Sequence, residues 1–382
     1  MALLWDDAGN QYIDAIGSLW YCQIGHGRTE MAEAIAAQVT TLETYSTFDP
    51  FTNPLADAVA DRIAALSPIE DARVFLCGSG SESIDTAMKL ARVAQIQAGH
   101  PERSVIITRD RGYHGTNYGG TSAQGLPLNK VGYGELLAGV VQVDADDIEA
   151  MSLAFEEHRG KVAAVIAEPV QGAGGVWPSN SAYLSQLRRL CTEHGAHLIF
   201  DEVITGFGRL GTWFGSQYFG VTPDMITFAK GVTSGYQPLG GVICAPAVHA
   251  PLANDPQFFL RTGYTYSGHA TVCAAALANL DIMERERLLE RAVHVGKRIE
   301  DGLDALVADG TLTGRRGAGA IWAGELPEGL DATAVRDAMI ARGVIARSIP
   351  GVIAFCPPLV ITDDQVDTVL DVFAATVHEL SH

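Results

Sequence analysis

The chain has 382 residues, of which 47% are hydrophobic and 19% charged, and its formal net charge at pH 7 is −19. This composition is that of a folded protein with a large core, and the charge argues against nucleic acid or an anionic membrane surface as a partner. Because the chain has no apolar run of about eighteen residues and no basic, apolar leader, we expect a soluble, cytoplasmic protein.

The cysteine and histidine patterns argue against a metal site. The six cysteines are scattered and include no Cys-x-x-Cys pair, which excludes the usual zinc spacing and a disulfide framework. His194 and His197 are three residues apart, but no cysteine or carboxylate pattern completes a site around them. We therefore predict that the protein binds no metal.

The first elements predicted are a short hairpin over residues 3–16, a glycine-bounded loop, and a helix from about residue 30. We expect residues 1–48 to pack with the C-terminal part of the chain, because they are too few to form a separate core.

Residues 49–280 are predicted to form a large domain of the α/β class. Apolar strand-like runs alternate with helical patterns, which is typical of a mostly parallel sheet sandwiched by helices. The predicted strands are 73–77, 104–108, 162–167, 197–200 and 225–229. Three of them lead into a polar residue, Glu168, Asp201 or Lys230. Because open α/β sheets bind ligands at the carboxyl ends of their strands, we expect these three side chains to share a site.

Residues 281–382 are predicted to form a smaller α+β domain. A charged helix is expected from residue 281 to about residue 308, then short strands near 319–325 and 352–355, and a closing helix from about residue 362. No flexible linker separates the two domains, so we expect the substrate to bind between them.

The turn at residues 77–82, Cys-Gly-Ser-Gly-Ser-Glu, joins a predicted strand to a helix. Its glycines allow backbone N–H groups to approach an anion, and the alternative is a plain turn in which Ser81 caps the helix. The turn matches neither a Walker loop nor a GxGxxG fingerprint, which favours a phosphorylated cofactor over a nucleotide.

Lys230 and Asp201 are the candidate catalytic residues. Lys230, one of only five lysines, precedes a glycine turn and is placed to form an imine, with a solvated loop lysine as the alternative. Asp201 ends an apolar strand and needs a cationic partner, either a protonated pyridine nitrogen or Arg209. Val203 could pack on one face of a flat ring and Tyr113 on the other.

Six motifs occur in the order found in one enzyme family. They are GSGSE at 78–82, GYHG at 112–115, EPVQG at 168–172, DEVITGFGR at 201–209, AKG at 229–231 and TYSGH at 265–269. In order and spacing they resemble the class III, fold-type I pyridoxal-phosphate-dependent aminotransferases across nearly the whole chain. The resemblance implies that both termini contribute to the smaller domain, and that the protein is a homodimer with shared active sites.

The resemblance also implies roles for individual residues. Lys230 resembles the Schiff-base lysine and general base, and Asp201 resembles the partner of the pyridine nitrogen. Thr265 resembles a residue that reaches the cofactor phosphate from the other subunit. Gln171 is placed near the phenolic oxygen, and Glu168 is either structural or paired with a substrate-binding arginine. The full cofactor-binding set is Ser79, Gly80, Ser81, Tyr113, His114, Glu168, Asp201, Val203, Lys230 and Thr265.

Within the family the chain is most similar to the omega-transaminases, which move amino groups from amines or omega-amino acids to pyruvate-like 2-oxo acids. Trp20 resembles an aromatic residue that lines their substrate pocket, with core packing as the alternative. Arg347 resembles the arginine that binds the acceptor carboxylate, which a guanidinium suits well, with a surface arginine as the alternative. Tyr113 and Tyr264 complete the predicted substrate-binding set.

Three features depart from the family pattern. We expect the N-terminal helix that covers the neighbouring site in many relatives to be absent or short, the segment 119–141 is short for the family, and Ser83 stands where alanine is usual. Because the two shortened regions help to form the substrate entrance, a larger, peptide-like or carrier-bound substrate is an alternative.

Other functions compete with transamination. Aminomutases, racemases and a decarboxylating transaminase share all of these cofactor residues, and a non-catalytic module with the same fold is a further alternative. The presence of Lys230, Asp201 and Tyr113 argues against the module. A nicotinamide-dependent oxidoreductase would need a dinucleotide fingerprint, which the chain lacks.

Overall fold

The computed structural model describes residues 1–381. In chain order its strands are β1 (Leu3–Trp5), β2 (Gln11–Asp14), β3 (Arg73–Cys77), β4 (Val105–Arg109), β5 (Val140–Val143), β6 (Val162–Ala167), β7 (Val170–Gln171), β8 (Trp177–Pro178), β9 (His197–Asp201), β10 (Met225–Phe228), β11 (Gly240–Cys244), β12 (Gly314–Ala318), β13 (Ile321–Glu325), β14 (Val344–Ile345), β15 (Arg347–Ile349) and β16 (Val352–Phe355). Its helices are α1 (Gly17–Trp20), α2 (Thr29–Leu42), α3 (Pro54–Leu66), α4 (Gly80–Gln97), α5 (Tyr118–Ala123), α6 (Ile148–Glu157), α7 (Ser181–His194), α8 (Gly215–Phe219), α9 (Pro246–Ala253), α10 (Ala270–Arg285), α11 (Leu288–Ala308), α12 (Ala332–Ala341) and α13 (Asp363–Leu380). None of these helices is both long and apolar enough to cross a membrane.

A seven-stranded sheet of order β3-β11-β10-β9-β6-β4-β5 forms the centre of the molecule. Six strands run in one direction, and β11 is antiparallel to both of its neighbours. The predicted α/β fold with a mostly parallel sheet is therefore confirmed, and each of the five strands predicted for residues 49–280 is present with its ends shifted by at most one residue.

Helices cover both faces of this sheet, so its inner strands are buried along their whole length. In β9, Leu198 and Phe200 pack with residues of α6 and α7, whereas Ile199 packs with residues of α4 on the other face. Burial on both sides explains why these strands read as uninterrupted apolar runs rather than as alternating patterns.

One predicted helix is wrong. The helix expected from residue 281 to about residue 308 is two helices, since α10 ends at Arg285 and α11 begins at Leu288. Arg287 between them has a φ of 53°, a left-handed conformation that an α-helix cannot continue. The domain boundary predicted at residue 280 falls inside α10, and the division into domains stays a prediction.

The C-terminal part contains a four-stranded antiparallel sheet of order β12-β13-β16-β15. The sequence predicts β13 and β16 but misses β12 and β15. The sequence of β12 is Gly-Arg-Arg-Gly-Ala, which has no apolar alternation, and β15 has only three residues. The hairpin of β1 and β2 adds β14 as a third, parallel strand, so the two ends of the chain share a small sheet.

An ion pair between the partly buried His26 and the buried Asp14 fixes the loop that follows β2. His26 Nε2 lies 2.8 Å from Asp14 Oδ2, and Asp14 also accepts hydrogen bonds from the backbone N–H groups of Ile16 and Ser18. The hydrogen bond to Asp14 raises the pKa of His26 from 6.5 to about 9. Because the folded state has the higher pKa, this stabilisation is complete below pH 6.5 and is lost as the pH rises through about 9.

We therefore expect the free energy of unfolding of the wild type to fall across this pH window relative to that of the His26→Gln variant. The expected difference is about 1–2 kcal/mol at pH 6 and close to zero near pH 10. Denaturant unfolding of both proteins at several pH values measures it. A wild-type advantage that does not change with pH would show that His26 is not charged in the folded state.

Candidate active site

A cavity lies at the carboxyl ends of the parallel strands. Eight residues of the predicted site line it, and they stand at or after the carboxyl ends of five strands, β3, β4, β6, β9 and β10: Gly80, Ser81, Tyr113, His114, Glu168, Asp201, Val203 and Lys230. Its wall is completed by Gly115, Ile204 and Ala229. The three polar residues that follow apolar strands are thus brought together in one place.

Lys230 follows β10 and starts a single 3-10 turn, Lys230–Val232. Its φ is 48°, an uncommon value for a residue other than glycine. The side chain of Asn279 holds the turn, because its Nδ2 donates to the backbone oxygens of Gly231 and Val232, each at 3.0 Å. Buried hydrogen bonds therefore fix the backbone of the turn that begins at Lys230.

The electrostatics of the cavity favour a reactive amine. Desolvation lowers the pKa of Lys230, and the carboxyl groups of Asp201 and Glu168 oppose that change. A lysine with a lowered pKa is more readily neutral, and only the neutral amine can attack a carbonyl carbon or accept a proton.

Asp201 is the last residue of β9 and is 5% exposed. Its Oδ2 lies 2.8 Å from His114 Nδ1, and its Oδ1 accepts from the backbone N–H of Val203 and the hydroxyl of Thr227, each at 3.2 Å. Since an ionised carboxylate only accepts, Nδ1 of His114 carries the proton. The partner of Asp201 within the chain is therefore a histidine.

The alternative that Arg209 pairs with Asp201 is wrong. Arg209 is fully buried, and its Nη1 donates to the backbone oxygens of Ala320 and Pro357, at 3.2 and 2.7 Å. It therefore ties the large sheet to the C-terminal part of the chain and leaves Asp201 facing the cavity.

The first turn of α4 supplies the anion-binding candidate. Ser79 is the N-cap, because its side chain accepts from the N–H of Glu82 at 3.2 Å, so the capping role proposed for Ser81 is wrong. Ser81 instead lines the cavity, and its Oγ accepts from the N–H of Thr116 at 2.9 Å. A Cβ at Gly80 would lie 3.1 Å from both methyl groups of Val203, so glycine lets α4 start this close to the cavity.

Glu168 joins two loops of the site. Its Oε1 accepts from the N–H of Tyr113 at 2.8 Å and its Oε2 from the N–H of Gly172 at 3.1 Å. Desolvation raises the pKa of Glu168 to about 7. Both carboxyl oxygens therefore accept from backbone N–H groups, as expected of a structural role.

Five residues of the predicted set lie outside the cavity wall, and one of them is Ser79, the N-cap of α4. Trp20 is 3% exposed and belongs to a core cluster with Ile204, so it supports the cavity wall from behind rather than lining it. Tyr264 places its hydroxyl 3.1 Å from Thr86 Oγ1, on the side of α4. Thr265 is exposed, as a residue serving a second subunit must be, and that role stays a prediction.

Arg347 also lies outside the wall, on the edge strand β15, and is exposed. Its charge still acts on the cavity. Desolvation is the main cause of the lowered pKa of Lys230 and the raised pKa of Tyr113, and the guanidinium of Arg347 lowers both pKa values.

Gln171 does not line the cavity, and its Nε2 donates to the backbone oxygen of Asp110 at 2.7 Å.

Three residues of the cavity wall are not among the site residues predicted from the sequence. Gly115 stands in the GYHG motif, and a Cβ there would lie 2.6 Å from Ser81 Oγ, so its small size was the available signal. Ile204 directly follows Val203, and Ala229 directly precedes Lys230. The only sequence signal for these two residues is that each is adjacent to a predicted site residue.

Comparison with known proteins agrees with this geometry. The family model described as aminotransferase class-III matches residues 2–377. A beta-alanine–pyruvate aminotransferase of Pseudomonas aeruginosa is 40% identical over 325 residues, covering 79% of this chain and 72% of the relative. A transaminase from the marine bacterium Virgibacillus has a TM-score of 0.96 at 36% identity, over 99% of this chain and 91% of the other.

An amine transaminase from an uncultivated Pseudomonas species, solved in its PLP-bound form, has a TM-score of 0.94 at 35% identity, over 99% of this chain and 93% of the other. The family match covers residues 2–377, which include every residue that lines the cavity. The chain therefore belongs to the class III aminotransferases and is an enzyme of the transaminase type.

Proposed function

We propose that the protein binds pyridoxal 5′-phosphate and moves an amino group from an amine, a diamine or an omega-amino acid to a 2-oxo acid such as pyruvate, by a ping-pong mechanism. One observation carries the proposal: the desolvated amine of Lys230 and the buried carboxylate of Asp201 share a cavity with the N-terminus of α4. The names of the relatives, one for beta-alanine and one for amines, support the donor classes.

The residues of the cavity fit this cofactor. Asp201 would hold the ring nitrogen, Val203 and Tyr113 would contact the ring, and Gly80 and Ser81 at the start of α4 would receive the phosphate. When bound, the cofactor supplies a ring that accepts the electron pair released at the substrate carbon.

Each protein group then has a defined task. Lys230 would be the residue that holds the cofactor, and its free, neutral amine would move the proton at the substrate Cα. The carboxylate of Asp201 stabilises a positive charge at the atom it contacts, and His114, at 2.8 Å, orients that carboxylate. Glu168 holds the backbone of Tyr113 and so keeps the tyrosine ring at the cavity.

Arg347 supplies the acceptor site in this proposal. Its guanidinium forms no hydrogen bond or ion pair within residues 1–381, yet its charge acts on Lys230 and Tyr113. An unpaired guanidinium beside a cavity suits a carboxylate, which it binds through two parallel hydrogen bonds. A donor without a carboxylate would not need this contact.

We also propose a homodimer with shared sites. Phe48, Phe51, Phe259 and Tyr266 are 47 to 68% exposed. They lie on two segments that touch, since Thr47 Oγ1 donates to the backbone oxygen of Ser267 at 2.9 Å. Thr265 lies within this apolar surface, and such surfaces mark interfaces. A monomer in sedimentation experiments at assay concentration would overturn this part of the proposal.

Steady-state assays of the holoenzyme test the reaction. An omega-amino acid, a diamine, an aryl-alkyl amine and alanine would each be paired with pyruvate and with 2-oxoglutarate. We expect the aminated acceptor as product, with parallel double-reciprocal plots as ping-pong kinetics require. An isomerised or racemised donor, formed without consumption of any acceptor, would instead support an aminomutase or racemase.

A further inference from the structure

Four residues form a row across the four-stranded C-terminal sheet. Arg347 of β15 is paired with Ala354 of β16, Ala354 with Ala323 of β13, and Ala323 with Arg316 of β12. Residues paired directly across strands project from the same face of a sheet. The two arginines therefore share a face, and their Cα atoms are roughly 14 Å apart, since neighbouring strands are about 4.8 Å apart.

This face of the sheet is the one turned toward the active site. Ala323 and Ala354 belong to the same core cluster as Ile204, and Ile204 lines the cavity that contains Lys230. Because both central residues of the row are alanines, the sheet packs closely against the wall of the cavity. The position of this sheet therefore sets where Arg347 stands relative to the site.

The Arg316 end of the row is firmly held. Its guanidinium carbon lies 3.6 Å from the centre of the Trp177 ring, its Nε donates to the backbone oxygen of Gly175 at 2.7 Å, and its Nη1 pairs with Glu325. Arg111 also stacks on Trp177, at 4.6 Å from the ring centre. Trp177 thus contacts both the sheet and the loop that leads into Tyr113.

The Arg347 end has no such anchor. Arg347 is on the opposite edge of the sheet, is exposed, and forms no hydrogen bond or ion pair within residues 1–381. Packed and hydrogen-bonded elements transmit small displacements rather than absorb them. A displacement at Arg316 would therefore be expected to reach Arg347 through the two paired alanines.

We propose that Arg316 and Trp177 are positioning residues for the acceptor: they fix the sheet against the Tyr113 loop and thereby place Arg347 where it receives the carboxylate of the 2-oxo acid. The inference rests on the proposed function, in which Arg347 binds that carboxylate. Neither Arg316 nor Trp177 touches the substrate. Replacing either residue should therefore weaken the binding of substrates with a carboxylate and leave the reaction of amines without a carboxylate unchanged.

The adjacent residue provides a matched control. Arg315 lies on the same strand but on the other face, where its guanidinium carbon is 4.8 Å from the centre of Trp322 and it pairs with Asp304 and Glu300. Arg315→Met and Arg316→Met therefore each remove an aromatic stack and at least one ion pair, on the face turned away from the site and on the face turned toward it.

The experiment compares both variants with the wild-type holoenzyme. We expect Arg316→Met to raise the KM for the 2-oxo acid about tenfold or more, and to leave the single-turnover rate with a carboxylate-free amine within about twofold. Arg315→Met should change neither value. Binding of an unreactive carboxylate such as propionate, followed through the cofactor absorbance, should weaken by the same factor in Arg316→Met.

Two results would overturn the inference: an unchanged KM in folded Arg316→Met, or equal losses with the amine and the 2-oxo acid. If Arg316→Met does not fold, Trp177→Leu removes the stack while the pair of Arg316 with Glu325 remains, and the same split is expected. A wild type that aminates no 2-oxo acid would instead overturn the proposed function. The failure of the proposed function and the failure of this inference therefore give different results.

Discussion

Replacing Lys230 by alanine is expected to reduce kcat/KM for amino transfer by about 10⁴-fold or more, because one side chain supplies both the covalent attachment and the proton transfer. The loss should fall on chemistry and not on folding. The turn is held by Asn279 through the backbone oxygens of Gly231 and Val232, which the substitution leaves in place. Kinetics with the preferred donor and thermal unfolding together measure the two effects.

Lys161→Ala is the control for the loss of a lysine. Lys161 is exposed and precedes β6, far from the carboxyl end of that strand, so its removal should leave kcat/KM unchanged. Addition of a small primary amine should restore part of the proton transfer in Lys230→Ala. Activity of Lys230→Ala close to that of the wild type, without added amine, would contradict the assignment.

Asp201→Asn is expected to have the second largest effect, a fall in kcat of about 10²- to 10⁴-fold. Asparagine keeps the shape of the side chain but removes the charge that would stabilise a protonated ring nitrogen. It can still accept from the N–H of Val203, so the loop that follows β9 should keep its conformation. Kinetics, with cofactor binding measured separately, check this expectation.

The neighbouring carboxylate offers a contrasting variant. Glu202 is fully buried and accepts from the N–H of Ser216 at 2.8 Å and the hydroxyl of Thr205 at 3.0 Å. Glu202→Gln should lower the free energy of unfolding by about 1–3 kcal/mol, since it leaves a buried donor without its acceptor. Its effect on kcat should be small. Similar kcat losses in both variants would mean that Asp201 acts through the fold.

Much of the fold could be predicted because burial on both faces of a parallel sheet leaves a clear pattern. The strands that end at Glu168, Asp201 and Lys230 are continuous apolar runs, so their carboxyl ends, and hence the cavity, follow from sequence. The break at Arg287 could not be predicted, because the residues on both sides have helical patterns and nothing local requires the left-handed conformation.

Contacts between residues that are far apart in the sequence could not be predicted either. His114 and Asp201 are 87 positions apart, and only the sheet order brings them together, so the sequence predicts a pyridine nitrogen or Arg209, and not His114, as the cation beside Asp201. The row that joins Arg316 to Arg347 depends on the register of three strand pairs, and the sequence does not encode that register in any short motif. Trp20 shows the limit of a motif, since it packs in the core.

Borohydride reduction of the holoenzyme, followed by digestion and mass spectrometry of the peptides, tests most directly whether Lys230 is the residue that binds the cofactor. We expect the pyridoxyl mass on the peptide that contains Lys230, and its loss when an amino donor is added before reduction. A label on another lysine, or no label even with excess pyridoxal phosphate, would contradict the account.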